Sequence, residues 1–413
     1  MNIAIVTYSL RIGGVEAVIR LLAEGFGGAG HDVAIIETLA KGEWHEAFVA
    51  DGFRVEPPNR PGYRSAKYHA LQLAGNLAKY DVLILNDSPL AQAGLGLLPP
   101  RTVVLVILHT CLTSMVHNAT SNGENWDRII AVSPQVAAAA LAYGAPEDRV
   151  VVIPNGIDLA PELGRRPLED SDRLEVAYIG ALNHQQKGVR HLPGILRAAV
   201  ESVPGIHLNV VGGGADFEWL QKEFVAQGLS QAVSMHGPLS NTAALSFLAN
   251  SDVLIMPSYF EGLPMVLLEA MARGVVPVVS RLRGCTDFVI EEGEEGFLIE
   301  PGNEAGFSEK LVLLARDRNL LRRLSVASHA KATRCFSKER MVQEYILQIE
   351  KCTSEREKQG TRTGRLAPEL LGDFPGLPSV LVRPTRWGLR KVGLWKPPAN
   401  RQSLVQTESE GQA

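Results

Sequence analysis

The sequence predicts an α/β protein with two tandem Rossmann-like domains facing a cleft, followed by a C-terminal crossover helix and a basic tail. Three observations support this prediction. At 413 residues the chain is too long for one ordinary hydrophobic core. Short apolar runs alternate with helical patterns in two separate series, as in parallel sheets covered by helices. A polar stretch without periodicity separates the two series and is typical of an interdomain linker.

Composition and charge exclude several classes of protein. A hydrophobic content of 46% with 21% charged residues describes a soluble globular protein. The net charge of -4 gives no overall attraction to nucleic acid. The four cysteines are scattered and form no C-x-x-C pair, which argues against a zinc site or a disulfide framework and favours a reducing compartment.

The N-terminal stretch MNIAIVTYSLRIGG lacks the basic region and the cleavage site of a signal peptide, so we expect it to form the first strand. No apolar run approaches the about eighteen residues of a membrane-spanning helix. We therefore expect a cytoplasmic protein, and peripheral attachment to the inner membrane surface stays open.

The first domain is predicted over residues 1–158 and begins with a buried strand from Ile3 to Tyr8. Gly13 and Gly14 follow, and then a helical pattern that ends in glycines. Paired glycines at a helix start let a phosphate or a sugar approach the backbone, although they also form simple tight turns. The G-x-G-x-x-G fingerprint is absent, which disfavours a nicotinamide dehydrogenase.

A second predicted strand from His31 to Glu37, four further strands and a candidate histidine follow in this domain. Apolar runs predict strands near residues 82, 103, 129 and 150. His109 directly follows one of them, at the carboxyl end where α/β sheets place their ligands. A lone histidine is more often structural than functional, so both interpretations stay open. The turn Asn155-Gly156 precedes the predicted linker, residues 159–172.

The second domain, predicted over residues 173–335, carries two candidate ligand loops. Lys187 lies just ahead of Gly188 and a helix, where its ammonium group is placed to meet a phosphate. Three glycines follow the next strand and form either a turn or a ligand loop: Gly212, Gly213 and Gly214. Because the carboxyl ends of parallel strands meet at one edge, we expect these loops to converge.

The stretch Pro257 to Ser280 is the most informative in the chain. A buried strand leads through a loop containing Glu261 into a helix that starts at about Pro264 and contains Glu269. The free N–H groups and the dipole of such a helix start favour a bound phosphate. Glu269 has apolar neighbours and needs a partner, which is a ligand hydroxyl or a nearby cation. The candidate ligand-contacting positions at the helix start are Gly262, Leu263, Met265 and Val266.

The C-terminal part changes character twice. Residues Phe336 to Cys352 form a long amphipathic pattern, which predicts a helix. Residues 353–413 are rich in proline, and the segment Arg383 to Arg401 carries basic residues and tryptophans without an acid. Such a tail cannot build a core, so we predict a disordered tail, with docking to an anionic membrane surface or a partner as the alternative.

The sequence resembles the retaining glycosyltransferases of family four, which have the glycosyltransferase-B (GT-B) fold. The resemblance covers roughly residues 1–350 and is most specific in the stretch with the two glutamates. The matching motifs are Gly13-Gly14-Val15-Glu16, Pro154-Asn155-Gly156-Ile157-Asp158, Lys187-Gly188, Val211-Gly212-Gly213-Gly214, Glu261-Gly262-Leu263-Pro264, Glu269-Ala270-Met271-Ala272 and the stretch Gly296 to Gly302.

The resemblance implies transfer of a sugar from a nucleotide-diphosphate sugar to an acceptor hydroxyl, with retained anomeric configuration and without a metal or other cofactor. Glu261 would contact the donor sugar, and Glu269 would bind the ribose hydroxyls. Lys187 would neutralise the diphosphate together with the loop at Gly13 and Gly14. His109 would contact the donor sugar.

The resemblance also implies a glycan or lipid-linked acceptor. Its site would lie mostly in the first domain, around Tyr63 to Tyr80 and His109 to Asn125. The long last helix would cross back to the first domain.

The sequence departs from the family pattern at Ala181, where the family usually has an arginine that clamps the diphosphate. Either another residue substitutes for it, with Arg190, His184 and Arg11 as candidates, or the donor or the activity is unusual. Two alternative functions stay open: a nucleotide-binding or scaffold protein with weakened catalysis, and a sugar-nucleotide epimerase of the same architecture.

Overall fold

The computed structural model describes residues 1–11, 13–58, 65–159, 173–356, 361–367 and 370. They form two compact units. Residues 1–132, 136–153 and the described part from Val342 onward make the first unit, and residues 133–135 and 154–341 make the second. The predicted linker and the predicted membrane-contacting segment Arg383 to Arg401 lie outside the described residues, except for position 159.

The first unit contains a parallel sheet in which seven strands are described. Its order is β3-β2-β1-β4-β5-β6-β7. The strands are rich in Val, Ile and Leu because helices cover both faces of such a sheet. The short strand β3 was not predicted, since two residues give no periodic signal. The strands are β1 (Asn2–Thr7), β2 (Asp32–Glu37), β3 (Val55–Glu56), β4 (Val82–Asn86), β5 (Val103–Leu108), β6 (Arg128–Ala131) and β7 (Val150–Val152).

Some of the helices that follow these strands begin after a serine that caps them. The Ser65 hydroxyl accepts the N–H of Tyr68 at 3.1 Å, and Ser88 caps the helix in which Pro89 takes the first position. The helices are α1 (Gly14–Gly28), α2 (His45–Ala50), α3 (Ala66–Leu77), α4 (Pro89–Gly94), α5 (Thr113–Thr120) and α6 (Pro134–Ala142).

The second unit contains a parallel sheet in which six strands are described, in the order β10-β9-β8-β11-β12-β13. Tyr178, Phe224 and Phe307 are among the large side chains buried in its core. The strands are β8 (Leu174–Ile179), β9 (Ile206–Val211), β10 (Val233–Gly237), β11 (Val253–Met256), β12 (Val276–Ser280) and β13 (Phe297–Ile299). The helices are α7 (His184–Lys187), α8 (Leu192–Ser202), α9 (Phe217–Ala226), α10 (Asn241–Ala249), α11 (Met265–Ala272), α12 (Thr286–Val289), α13 (Glu304–Arg316) and α14 (Arg318–Cys335).

Both sheets reverse their strand order once, at a central pair of strands. The reversal lies between β1 and β4 in the first sheet and between β8 and β11 in the second. At such a point the loops after the two strands lead to opposite faces and leave a crevice, where open α/β sheets bind their ligands. The predicted two-domain α/β fold is confirmed, and each domain carries one such crevice.

The C-terminal part differs from the predicted helix at 336–352 and the predicted tail from 353. The last helix, α15 (Lys338–Arg356), starts and ends later. Phe26 and Tyr345 pack edge to face with 6.3 Å between their ring centroids, which fixes this helix to the first unit. Residues 361–367 also pack on the first unit, so the prediction of a disordered tail is wrong for this stretch.

Arg362 anchors that stretch. Its side chain is 2% exposed, and its guanidinium donates to the carbonyl oxygens of Pro99, Thr102 and Asn125. Asp127 lies 4.0 Å from the same group. This stretch has no periodic apolar pattern, because a single buried arginine rather than an apolar face holds it.

Candidate active site

A buried ion pair lies at the crevice of the second unit. Lys187 Nζ is 2.7 Å from Oε1 and 2.9 Å from Oε2 of Glu261. The Ser258 hydroxyl donates to Glu261 Oε1 at 2.8 Å. Glu261 is only 7% exposed, so its charge depends on these two partners. The sequence predicted Lys187 and Glu261 as site residues, but it gave no signal for Ser258.

Close contact between two loops brings this pair together. Gly188 ends α7 in the left-handed region, with φ 62°, and a Cβ at this position would lie 2.0 Å from the carbonyl oxygen of Pro257. The N–H of Tyr259 donates to the carbonyl oxygen of Gln186 at 2.8 Å. Glycine at 188 therefore lets the loop after β8 lie directly against the loop after β11.

The helix beside the ion pair begins one residue later than predicted. Pro264 takes the cap position, and α11 begins at Met265 and continues with Val266. Gly262 and Leu263 therefore lie in the loop that leads to the helix. The helix can begin here because proline fixes φ and has no N–H to leave unpaired.

Glu269 lies on the second turn of α11 and is half-buried. Burial raises the pKa of its carboxyl group, and the charge of Arg273 partly offsets that rise. The Arg273 guanidinium donates to the main-chain oxygen of Glu269, at 2.9 Å. Within the described ranges no hydrogen bond or ion pair to the Glu269 carboxylate occurs, so this carboxylate is available to a ligand.

The triple glycine packs the loop after β9 on the loop after β8. Gly212 has φ 143°, and a Cβ there would lie 1.9 Å from the carbonyl oxygen of Gly180. The carbonyl oxygen of Gly213 accepts the N–H of Leu182 at 2.9 Å. Close packing of loops therefore accounts for Gly212, and for Gly214, where a Cβ would lie 2.4 Å from the carbonyl oxygen of Leu182. It does not account for Gly213, where a Cβ would make ordinary contact with Pro238 at 3.6 Å, and a ligand role for Gly213 stays a prediction.

The second unit offers two predicted substitutes for the missing arginine at Ala181, and both are already engaged. Arg190 pairs with Asp216 at 2.7 Å and lies over the Trp219 ring. Burial lowers the pKa of His184, and the neighbouring charges of His191 and Arg190 add to the effect. In the second unit this leaves Lys187 as the predicted phosphate-binding cation.

A hydrogen-bonded group that the sequence did not indicate lies next to the ion pair. His191 Nδ1 is 2.7 Å from Glu304 Oε1, and its Nε2 is 2.6 Å from the Tyr259 hydroxyl. The His184 ring packs edge-on against His191 and Tyr259. These contacts hold the segment before Glu261 in place. No sequence motif predicts them, because the residues come from three distant parts of the chain.

In the first unit, His109 follows β5 and contacts Asn86 at the end of β4. The distance from His109 Nε2 to Asn86 Oδ1 is 2.7 Å. Burial lowers the pKa of His109 to about 4, so the imidazole is neutral at pH 7. A neutral imidazole has one donor and one acceptor nitrogen, which suits contact with hydroxyl groups.

The paired glycines lie at the start of α1, next to a carboxylate. Gly13 caps the helix and Gly14 begins it. A Cβ on Gly13 would lie 2.9 Å from Oε2 of Glu16, whose Oε1 accepts the N–H of Arg11 at 3.1 Å. Burial raises the pKa of Glu16. The Arg11 guanidinium, the third predicted substitute, contacts Ser9 and lies over the Tyr8 ring.

The predicted acceptor region lies partly outside the described residues, because Tyr63 falls in the gap before residue 65. From there the chain forms α3, which borders a cavity of about 150 Å³. Thr38, Gln72 and Asn76 are among the polar residues lining it. The other predicted stretch, His109 to Asn125, contains α5 and ends at the buried Asn125.

Comparison with known proteins identifies the family. Residues 12–161 match the profile described as Glycosyltransferase Family 4, and residues 161–331 match Glycosyl transferases group 1. Glycogen synthase of Mycobacterium tuberculosis is 26% identical over 367 residues, covering 79% of this chain and 88% of that protein. The lipopolysaccharide core biosynthesis glycosyltransferase LpsE of Rhizobium meliloti is 32% identical over 223 residues, covering 54% of this chain and 64% of that protein.

Solved structures agree on the fold. HepE of Anabaena, crystallised in complex with UDP, superposes with a TM-score of 0.73 at 20% identity, covering 85% of this chain and all of that one. No helix in the described ranges is long and apolar enough to cross a lipid bilayer. The profiles, the relatives and the fold agree with each other, and the chain belongs to the family-four type of glycosyltransferases with the GT-B fold.

Proposed function

We propose that this glycosyltransferase moves a sugar from a nucleotide-diphosphate sugar to an acceptor hydroxyl with retention of anomeric configuration, in the synthesis of a glycan, polysaccharide or glycolipid. The Lys187–Glu261 pair at the crevice of the second unit is the main support. The names of relatives in glycogen and lipopolysaccharide synthesis, and the UDP complex of HepE, support the donor and acceptor classes.

In this proposal the ion pair exchanges partners when the donor binds. Lys187 turns to the diphosphate, which carries more negative charge as it leaves, and Glu261 accepts hydrogen bonds from the donor sugar. Ser258 keeps its hydrogen bond to Glu261 and so holds the carboxylate in place. Glu269, which has apolar neighbours, accepts hydrogen bonds from the ribose hydroxyls.

The reaction breaks the bond between the anomeric carbon and the diphosphate oxygen, and it forms a bond to the acceptor oxygen on the same face. The acceptor proton passes to an oxygen of the leaving diphosphate, so a free nucleoside diphosphate and a glycoside result. Lys187 and the start of α11 supply the positive potential, and we propose that transfer needs no metal. His109 is proposed as a neutral contact to the donor sugar.

Transfer assays with nucleotide sugars test the proposal. We expect Lys187→Ala and Glu261→Gln each to lower kcat/KM by roughly a hundredfold to a thousandfold, as loss of one group that stabilises transition-state charge does. Lys222→Ala and Glu218→Gln, which change exposed residues of the same unit, are matched controls. Near-normal transfer by both site variants would refute the assignment.

Two further measurements test the finer claims. Proton NMR of the product reads its anomeric configuration, and an inverted product would refute retention. Transfer in excess EDTA should proceed at the same rate as without it, and a loss that Mg²⁺ or Mn²⁺ restores would refute metal independence.

The ion pair between Arg190 and Asp216 favours the scaffold alternative, because it leaves the diphosphate with one fewer free cation. Calorimetry with UDP, followed by a donor-hydrolysis assay, separates the two functions. Binding without turnover of any donor would favour the scaffold. Conversion of the donor to an isomer without acceptor would instead indicate an epimerase.

Peripheral membrane contact through Arg383 to Arg401 remains a proposal from the sequence alone. Co-sedimentation with vesicles containing phosphatidylglycerol tests it. The shortened chain should end after residue 370, since Arg362 belongs to the first unit. Equal binding by full-length and shortened chains would refute the contact.

A further inference from the structure

The crevice of the first unit contains an aspartate in an unusual backbone conformation. Asp87 follows β4 directly and has φ 42°, in the left-handed region that residues with a Cβ seldom adopt. Among the described residues, Asn122 is the other non-glycine residue with positive φ. Such strained positions cluster at ligand sites, because the surrounding structure must hold them in place.

The surroundings of Asp87 are polar and partly buried. Burial raises the pKa of its carboxyl group, and the Asn118 side chain and the charge of Arg11 offset part of that rise. A carboxylate accepts about four hydrogen bonds, so the Asp87 oxygens have lone pairs to spare for a ligand.

The adjacent Asn86 is an independent sign of a ligand site. It is 1% exposed, and its Oδ1 contacts His109 while its Nδ2 has no hydrogen-bond partner in the described part of the chain. Turning the amide over would leave the oxygen unpaired instead. An unpaired buried amide is costly, and native proteins keep few such groups without a reason.

We propose that Asp87 binds a hydroxyl group of a sugar acceptor, that Asn86 completes this subsite, and that His109, which contacts Asn86, lies at its border with the donor sugar. The inference rests on the proposed function, since it gives the first unit an acceptor that is a polyol. A carboxylate, an amide and a neutral imidazole are the groups that recognise hydroxyls, and a phosphate would be repelled by Asp87. The neighbouring Ser88 and Thr38, with hydroxyl oxygens 2.9 Å apart, continue the polar surface to the cavity beside α3.

Saturation-transfer NMR on the full chain tests this without requiring turnover. The probes are the methyl α-glycosides of glucose, galactose and mannose. We expect a signal with the unaltered protein and a loss of affinity of roughly tenfold to a hundredfold in Asp87→Asn, because a hydrogen bond to a charged group is lost. Asparagine tolerates the left-handed conformation, so this variant should fold. Asp148→Asn, at an exposed site of the same unit, is the control and should bind normally.

Kinetics separates this inference from the proposed function. With UDP-glucose as donor, Asp87→Asn should raise the KM for the glycoside and leave the thermal shift caused by UDP unchanged. Absence of a UDP shift in the unaltered protein would instead count against the donor site of the second unit. Two results overturn the inference: no glycoside signal with the unaltered protein, or equal glycoside affinity in Asp87→Asn.

Discussion

The two units carry a crevice at the same topological position but fill it with different chemistry. In the second unit, Lys187 and Glu261 form a charged pair with short, well-aligned contacts. In the first unit, burial raises the pKa of the Glu16 and Asp87 carboxyl groups, and His109 is a neutral imidazole. One crevice therefore suits a charged diphosphate and the other suits hydroxyl groups. Under the proposed function, the shared topology would place a ligand in each crevice, and the side chains would decide its chemistry.

The units also differ in how they are completed. The second unit is almost continuous in sequence, whereas the first takes α15 from Val342 onward and residues 361–367 from the end of the chain. Arg128 makes two 2.7 Å contacts with Glu355, and Arg356 lies 2.6 Å from Asp127. Buried charge pairs thus join the C-terminal part to the first sheet.

The largest expected effect is on the stability of the first unit, which depends on the C-terminal part of the chain. Arg362→Ala should lower the free energy of unfolding of the first unit by about 3 kcal/mol, because the buried carbonyl oxygens of Thr102 and Asn125 lose a donor and Asp127 loses a nearby cation. Urea unfolding measures the loss. Arg365→Ala changes an exposed arginine of the same segment and should have little effect. An equal loss of stability in Arg365→Ala would contradict the assignment of Arg362 as the anchor.

A smaller effect is expected at the ion pair of the second unit. Lys187→Met should destabilise the protein by about 2 kcal/mol, because it leaves the buried Glu261 carboxylate with Ser258 as its partner. Adding Glu261→Gln should recover about half of the loss, since the uncompensated charge is removed. A double-mutant cycle by chemical denaturation measures the coupling. Strict additivity of the two changes would show that the pair does not act as a unit.

The smallest expected effect concerns the protonation of the Glu269 carboxyl group. The raised pKa of Glu269 means that UDP affinity should fall as pH decreases, starting above the ordinary pKa of 4.5. Glu269→Gln should bind UDP about tenfold more weakly at pH 7 and lose this pH dependence. Calorimetry between pH 4.5 and 8 provides the comparison.

The same carboxyl group affects stability with the opposite sign. Because its folded-state pKa is raised, Glu269 contributes stability below its unfolded pKa, and this contribution is lost as pH rises through the folded value. Without ligand, Glu269→Gln should therefore have a higher Tm than the unaltered protein at pH 7, and the difference should shrink in acid. A lower Tm at pH 7 would contradict the assignment of an unpaired, buried carboxylate.

The sequence predicted the two-domain fold because buried parallel strands leave clear apolar runs. It also predicted Lys187 and Glu261, since both follow strands that end at one sheet edge. Ser258, His191 and Asp87 escaped prediction. Their roles depend on contacts between separate loops and on a backbone angle, and neither leaves a periodic pattern. The anchoring role of Arg362 was not predicted for the same reason.

The C-terminal anchor has a consequence for the order of events during synthesis. Residues 1–153 leave the ribosome first, yet their sheet lacks its partners in α15 and Arg362 until the whole second unit has been translated. Domains usually fold as they emerge, and an incomplete one exposes surface that can aggregate. The second unit can therefore reach its native packing before the first unit does, although most of the first unit is synthesised earlier. A chaperone that protects the nascent chain would be needed longest by the part that was made first.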